Sequence, residues 1–342
     1  MVDTMKIVTM INEKIYKHIY SRSKINTSYN NETGEVFYKI INNNVEGSYS
    51  SSLSVRVGNG AKYKFGNMYY IEIEGSYHKL IKGYNSHNGY YNVVQIASNL
   101  IKMVEQAYYI KLPKLNHWFV QRIDIAICFN LGNQNNVERY INNLSSCNYP
   151  KRKLKHYENE SIYLTGSTTT LKIYNKLLEF KKNDIKKFRE TDFNMEKYTK
   201  EIEGFVRFEC EIKKRTLQNV FNCNYVRVCN IDYDTLKGVW EQEFRKLLKL
   251  AESDMNVISE RERVKERLSN TYSKSRAQNL YNYYILILSL GIKEVRKSNK
   301  KSMYYKNIRE LKNVGVDFSQ KYDIQLNENR IEFNPFEAEE IL

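Results

Sequence analysis

Along the first two thirds of the chain, apolar and polar residues alternate with a period of two in short runs separated by Asn, Gly and Ser. In the last third the apolar residues recur at helical spacing instead. Strands are therefore predicted within residues 36–217. The clearest are YYIEIEG from Tyr69, FVQRIDIAICFNL from Phe119, TTLKIYNKLLEF from Thr169 and GFVRFECEIKK from Gly204. Helices are expected between them at Asn92–Ala107 and Val137–Leu144. From Tyr233 helical segments follow one another, with Gly291 and Gly315 placed to stop two of them. The pattern describes an α+β fold: a mostly antiparallel sheet flanked by helices over residues 1–232, then an all-helical C-terminal region over residues 233–342.

Period-two geometry also sorts side chains by face. In QRIDIAI, Ile123, Ile125 and Ile127 share one face and leave Arg122 and Asp124 on the other. In VRFECEI, Val206, Phe208, Cys210 and Ile212 oppose Arg207, Glu209 and Glu211. Leu171 and Ile173 oppose Thr170, Lys172, Tyr174 and Lys176, while Ile71 and Ile73 oppose Glu72 and Glu74. Strands sharing one sheet would gather these carboxylates, lysines and a tyrosine on one polar platform. Such a set suits phosphoryl transfer. Carboxylates hold Mg²⁺ or Mn²⁺ with positions open for phosphate oxygens, a tyrosine attacks phosphorus, and Lys176 on the same face favours the phenolate. An antiparallel sheet has one polar face in any case, and the chain carries 29 tyrosines, so an ion-paired surface accounts for the same pattern. Asp124 between isoleucines is less ordinary, because strands are poor in Asp.

Charge narrows the partners. Lys and Arg total 54 against 39 Asp and Glu, a net +15, which points to a polyanion. Nucleic acid fits better than a membrane, because the longest apolar run, Tyr283–Leu290, falls well short of the roughly 20 residues of a span. The N-terminal stretch lacks the apolar run and cleavage site of a secretory signal, so a cytoplasmic protein is expected. Five cysteines without a C-x-x-C pair imply neither a zinc site nor a disulfide framework.

The segment IEGSYHKLIKGYN (Ile73–Asn85) resembles the E-G-S-x-x-K-x-x-x-G-x-N segment of the gene II/gene X replication proteins of filamentous phages and related plasmid initiators. RIDIAICF, TLKIYNKLLE and VRFECEIKK follow in that family's order, and SMYYKNIRELKNVGVDFS (Ser302–Ser319) resembles its C-terminal pattern. The resemblance implies a rolling-circle initiator: a site-specific endonuclease that nicks one strand of a double-stranded origin, stays on the 5′ end through tyrosine and later rejoins the displaced strand. It places the nucleophile at Tyr174 with Lys176, and the metal ligands at Asp124 and Glu209. Glu74 is a further candidate ligand, although a carboxylate beside Gly75 can instead organise the turn. The implied partners are duplex and single-stranded DNA, a host helicase and the replication machinery, within a bacterial host cell. Two departures stand out. No His-hydrophobe-His pair is present, so the metal falls to carboxylates or to histidines gathered from distant segments, such as His78 or His87. Gly83-Tyr84-Asn85 stands where the phage proteins often have Gly-His-Asn.

The C-terminal helices suit a helix-turn-helix over about residues 270–318, with Tyr304, Tyr305, Lys306 and Arg309 on the third helix entering the major groove. Arg296, Lys300 and Lys301 would meet backbone phosphates. A basic helical bundle with solvated charges explains the same residues. On the sheet, Lys172, Arg122 and Arg207 are the expected DNA contacts. Three rivals remain. An origin-binding protein without chemistry would be favoured by a buried Tyr174 or by widely separated carboxylates. A tyrosine recombinase would need a His-x-x-Arg pattern, which is missing. A conjugative relaxase is normally built around a histidine cluster.

Overall fold

In a computed structural model the described residues are 1–29, 32–33, 36–46, 52–59, 63, 66, 68–87, 89–145, 147, 149–188, 193–258, 261–290, 292–316 and 333–336. Among them, ten strands form one sheet: β1 (Val2–Ile11), β2 (Lys24–Tyr29), β3 (Val36–Glu46), β4 (Ser52–Asn59), β5 (Tyr69–Gly75), β6 (Phe119–Asn130), β7 (Lys153–Tyr157), β8 (Ser161–Thr165), β9 (Thr169–Asn175) and β10 (Phe205–Lys213). Their order is β2-β3-β4-β5-β1-β6-β10-β9-β8-β7, and every pairing is antiparallel. The helices beside it are α1 (Glu13–Tyr20), α2 (Tyr77–Lys82), α3 (Val93–Tyr108), α4 (Gln134–Leu144), α5 (Lys176–Asn183), α6 (Met195–Glu201) and α7 (Lys214–Val220), and α8 (Tyr233–Ile258) follows. This is the α+β architecture expected.

Two local assignments change. The first strand lies upstream of residue 36 and runs through the middle of the sheet, between β5 and β6. Its residues Val2, Met5, Ile7, Val8 and Ile11 are all buried, and a strand covered on both faces loses the period-two contrast by which strands are recognised. The run TTLKIYNKLLEF is a strand only as far as Asn175. There the Asn175 side chain accepts a hydrogen bond from the Leu178 amide at 3.2 Å, and α5 begins at Lys176. An Asn cap is a strong start signal for a helix, so Lys176 leaves the strand face on which the alternation put it. Asn92 caps α3 in the same way, 3.0 Å from the Gln95 amide.

The apolar face of the sheet is closed by aromatic packing. Phe208 is fully buried, with its ring edge-on to Phe129 and Phe244. The Trp240 indole packs beside it and donates to the Phe208 carbonyl at 3.2 Å. All five cysteines are free thiols, and Cys128, Cys147 and Cys210 are buried.

By internal packing the chain divides into two compact units, one of Met1–Ile141, Lys151–Phe244 and Phe333–Leu342, the other of Asn142–Pro150 and Arg245–Glu332. The second contains α9 (Arg261–Thr271), α10 (Lys274–Leu290), α11 (Ile292–Ser298) and α12 (Lys301–Asn313). Leu268, Leu280, Val295 and Leu311 form its core, and Arg276 ties α10 to α12 through Glu310 (2.8 Å) and Asn307 (2.7 Å). Gly315 follows α12 with φ +88°, the left-handed stop that its position implied. Gly291 and the end of the C-terminal motif, residues 317–319, lie outside the described residues. Among those described, no helix is long and apolar enough to cross a membrane.

Truncating Phe208→Ala leaves a cavity beneath the site strands. The expected cost is about 3–5 kcal/mol of unfolding free energy, measured as a lowered denaturation midpoint in urea.

Candidate active site

The register of the central strands decides which side chains meet. Across β9 and β10, Arg207 stands opposite Tyr174 and Glu209 opposite Lys172; across β6 and β10, Glu211 stands opposite Asp124 and Lys213 opposite Arg122. Directly opposed residues share a face, so the acids, bases and tyrosine do lie on one side of one sheet. Asp124, Glu209 and Tyr174 are all buried there, Tyr174 at 7% exposure.

β1 adds a carboxylate that the sequence reading missed. Val2 pairs with Ile125 and Met5 with Ile123, leaving Asp3 and Thr4 together opposite the single residue Asp124. Such a bulge re-aims a side chain: Val2, Met5 and Ile7 keep to the apolar face, while Asp3 turns to the polar one. One carboxylate oxygen from each of Asp3, Asp124 and Glu209 then lies within 4.8 Å of the other two, and all three residues are buried. Three hard oxygen donors this close fit Mg²⁺ or Mn²⁺. The available signal was an Asp inside an apolar run, VDTMKIVTMI, the same anomaly that marked Asp124. Histidine takes no part in this trio. His87 pairs with Glu201 at 3.2 Å, and His78 is fully buried with Nε2 2.9 Å from the Val2 carbonyl.

Basic side chains hold each carboxylate in place. Arg122 donates from Nε and Nη2 to the two oxygens of Asp124, each at 2.9 Å, and from Nη1 to Glu74 at 3.0 Å. Arg207 donates to Asp3 at 2.7 Å and to the Ser86 carbonyl at 2.8 Å. Lys172 Nζ is 2.6 Å from Glu209, 3.7 Å from Glu211 and 3.9 Å from Asp124. Burial, reinforced by the charge of Glu209, pushes Asp124 up to about 7 against the pull of Arg122 and Lys172. Burial acts on Asp3 in the same sense, but Arg207, with Lys79, His78 and Lys172 behind it, overcomes it and holds Asp3 at about 2. Neighbouring carboxyls are thereby driven apart in proton affinity, as happens where acids share one site.

Tyr174 sits over this group. Its hydroxyl donates to Glu209 Oε2 at 3.0 Å and accepts from the Asn85 side-chain amide at 3.3 Å. Burial, with Glu209 and other acids adding to it, keeps the phenol well above its ordinary value despite Arg207. Asn85 arrives through the turn that closes α2: Gly83 adopts φ +81° and its amide returns to the Lys79 carbonyl at 2.8 Å, a conformation favouring glycine. The Asn85 backbone N–H then donates to the Asp184 carboxylate at 3.1 Å. Tyr84, at the position where the phage proteins often carry histidine, packs among Phe180, Phe188, Phe193 and Tyr198.

Lys176 is fully buried, with Nζ 2.6 Å from Glu179. Glu74 lies outside the trio, between Lys6 and Arg122 at 3.0 Å each, and so supports the arginine that holds Asp124. Lys172 and Arg122 are partly exposed, whereas Arg207 is sealed in. In the helical unit Tyr304 is buried, while Arg296, Lys300, Lys301, Tyr305, Lys306 and Arg309 are exposed.

A carboxylate trio beside a tyrosine, on the polar face of an antiparallel sheet, offers oxygen donors for a divalent cation next to a phenolic hydroxyl. Residues 1–232 match the family model for the N-terminal part of the replication-associated proteins of the phage gene II type. The chain belongs to this family of phage replication-associated proteins, in agreement with its motifs. No curated protein and no solved structure matches it.

His78 gives the site unit an acid sensitivity. Burial lowers its pKa from 6.5 to about 4, against the opposing influence of Asp3 and the Val2 carbonyl. The unfolded chain therefore takes up a proton before the native state does. This contribution is complete above about pH 6.5 and declines as the pH falls towards 4, by about 3 kcal/mol in all. Asp124, with its raised value, gives stability the opposite trend over the same window. The His78 contribution is therefore read as the difference in unfolding free energy between wild type and His78→Gln, which should shift in favour of the wild type by about 3 kcal/mol from pH 4 to pH 6.5.

Proposed function

We propose that the protein is a replication initiator that nicks and rejoins one strand of a phage or plasmid origin, with Tyr174 as its nucleophile. The observation that carries this reading is the hydrogen bond from the Tyr174 hydroxyl to Glu209, a member of the carboxylate trio, in a chain of the replication-associated family. Tyr174 Oη attacks the scissile phosphorus and its proton passes to Glu209 Oε2. The bond from phosphorus to the 3′ oxygen breaks, and that oxygen leaves as a 3′-hydroxyl with a proton from water, the resulting hydroxide being neutralised by the proton that Glu209 gives up. The product is a 5′-phosphotyrosine. Attack by a 3′-hydroxyl reverses each step, and because the phosphodiester energy is retained, rejoining needs no ATP.

Asp3, Asp124 and Glu209 would hold Mg²⁺ or Mn²⁺, which supplies Lewis-acid stabilisation of charge on the phosphate. The forked contact of Arg122 fixes the orientation of Asp124, and Arg207 does the same for Asp3. Lys172 sits where it can meet a phosphate oxygen once it releases Glu209. The amide of Asn85 donates to the phenolic oxygen and so favours its anionic form.

The helical unit supplies a duplex grip in this reading. Its last three helices, α10 to α12, form the helix-turn-helix. Tyr305, Lys306 and Arg309 are its exposed major-groove residues, with Arg296, Lys300 and Lys301 for phosphates. Tyr304 anchors α12 from the core side. A host helicase and the replication machinery are the partners such an initiator needs.

A second reading, origin binding without chemistry, has one observation in its favour: Tyr174 is 7% exposed, and a nucleophile must reach DNA. Labelled origin DNA with Mn²⁺ separates the two. Wild-type protein should yield a covalent adduct that survives denaturation, and Tyr174→Phe should yield none. Glu209→Gln should slow nicking by about 10²–10⁴-fold, and Asp3→Asn or Asp124→Asn should abolish it while leaving DNA binding intact. An adduct formed equally well by Tyr174→Phe removes that residue from the mechanism.

A further inference from the structure

Exposure on the polar face of β10 rises steadily along the strand. The side chains are 0% exposed at Arg207, 6% at Glu209, 16% at Glu211 and 29% at Lys213. The end at Arg207 is shut by the cluster of Phe180, Phe188, Tyr198 and Phe205. The other end opens beside a cavity of about 930 Å³ whose lining includes Ser167, Lys213, Lys214, Arg215, Asn219 and Asn222. Among the described residues no carboxylate lines it. Lys213 is engaged, with Nζ 2.7 Å from the Gly166 carbonyl and 3.7 Å from Glu211. Lys214 and Arg215 make no ion pair among the described residues. Lys214 Nζ lies 5.7 Å from the ring centre of Tyr225, an exposed aromatic beside the cavity.

From these features we infer that the cavity is a subsite for single-stranded DNA flanking the nick, with Lys214 and Arg215 on backbone phosphates and Tyr225 as a stacking surface. The inference rests on the nicking reading, which places the scissile phosphate at Glu209. Lys213 follows Glu209 by four residues, roughly 13 Å of strand. At about 3.4 Å per stacked nucleotide this corresponds to about four nucleotides, fewer in an extended strand. A basic groove with an aromatic neighbour is the general means of holding one strand without reading its sequence. The volume lies within the roughly 300–1,000 Å³ of sites for small ligands, which takes a nucleotide or two of one strand and excludes a duplex. Because the opposite end is closed by aromatic rings, the strand has one way out along β10.

The test is fluorescence anisotropy of a labelled oligothymidylate against the full chain over a range of salt, comparing wild type with the double variant Lys214→Ala/Arg215→Ala. Both residues are solvent-accessible, so the variant should fold, which circular dichroism verifies. Affinity should fall about tenfold or more, and the slope of log K against log salt should shrink by about 1.4, at about 0.7 per phosphate on a single strand. The charge-matched control Lys153→Ala/Lys155→Ala, on the exposed strand β7, should change neither quantity. Unchanged binding in the first variant overturns the subsite, as does an equal loss in the control or an equal loss of duplex affinity. Adduct formation by the wild-type chain on origin DNA is read alongside. Oligothymidylate binding that depends on Lys214 and Arg215 without any adduct sinks the nicking reading and keeps the subsite; adduct formation with binding indifferent to both residues does the reverse.

Discussion

A row of alternating charges crosses the polar face of the sheet, and the rest of the site depends on it. Arg56, Glu72, Lys6, Glu74, Arg122, Asp124, Lys172 and Glu209 follow one another over six strands, each within 4.0 Å of the next. Isolated buried carboxylates cost several kcal/mol each in lost hydration, so Asp3, Asp124 and Glu209 can converge only where opposite charges flank them. Arg207 completes the arrangement from the closed side. The sheet makes the row possible because its register sets each acid beside a base on a rigid surface, whereas loops would let the like charges drift apart.

That balance leaves the site poised. Every carboxylate of the trio is paired with an arginine or lysine, and of these bases Arg122 and Lys172 are partly exposed while Arg207 is sealed in. Asp124, near neutrality in its proton affinity, and Asp3, firmly ionised, share one space. The tyrosine is bound to the same carboxylate that Lys172 holds. Movement of one lysine therefore alters the charge felt by the phenol and by the trio together.

Much of this was legible beforehand. Alternation in QRIDIAI, VRFECEI and TLKIYN assigned Asp124, Glu209 and Tyr174 to one face, and the register across β6, β10 and β9 agrees with that sorting. The family motifs pointed to the replication-associated proteins, which the match over residues 1–232 bears out. Tyr304, which the sequence placed in the major groove, lies instead in the core: with Ile308 and Leu311 it falls at helical spacing on the buried face of α12. Lys176 was misplaced for a local reason, since the capping preference of Asn175 outweighed a continuing alternation.

What the chain determined by itself was the face on which each residue of the regular strands β5, β6, β9 and β10 lies, because that follows from backbone geometry one residue at a time. Tertiary structure alone decided which strands became neighbours. β1 entered the centre of the sheet, and a bulge that exists only against β6 turned Asp3 towards Asp124. It also decided depth. Arg207, Glu209, Glu211 and Lys213 are equivalent by periodicity, yet one end of their row is roofed by aromatic rings from distant segments and the other is open. Burial depends on what packs overhead, and no period in the sequence encodes that.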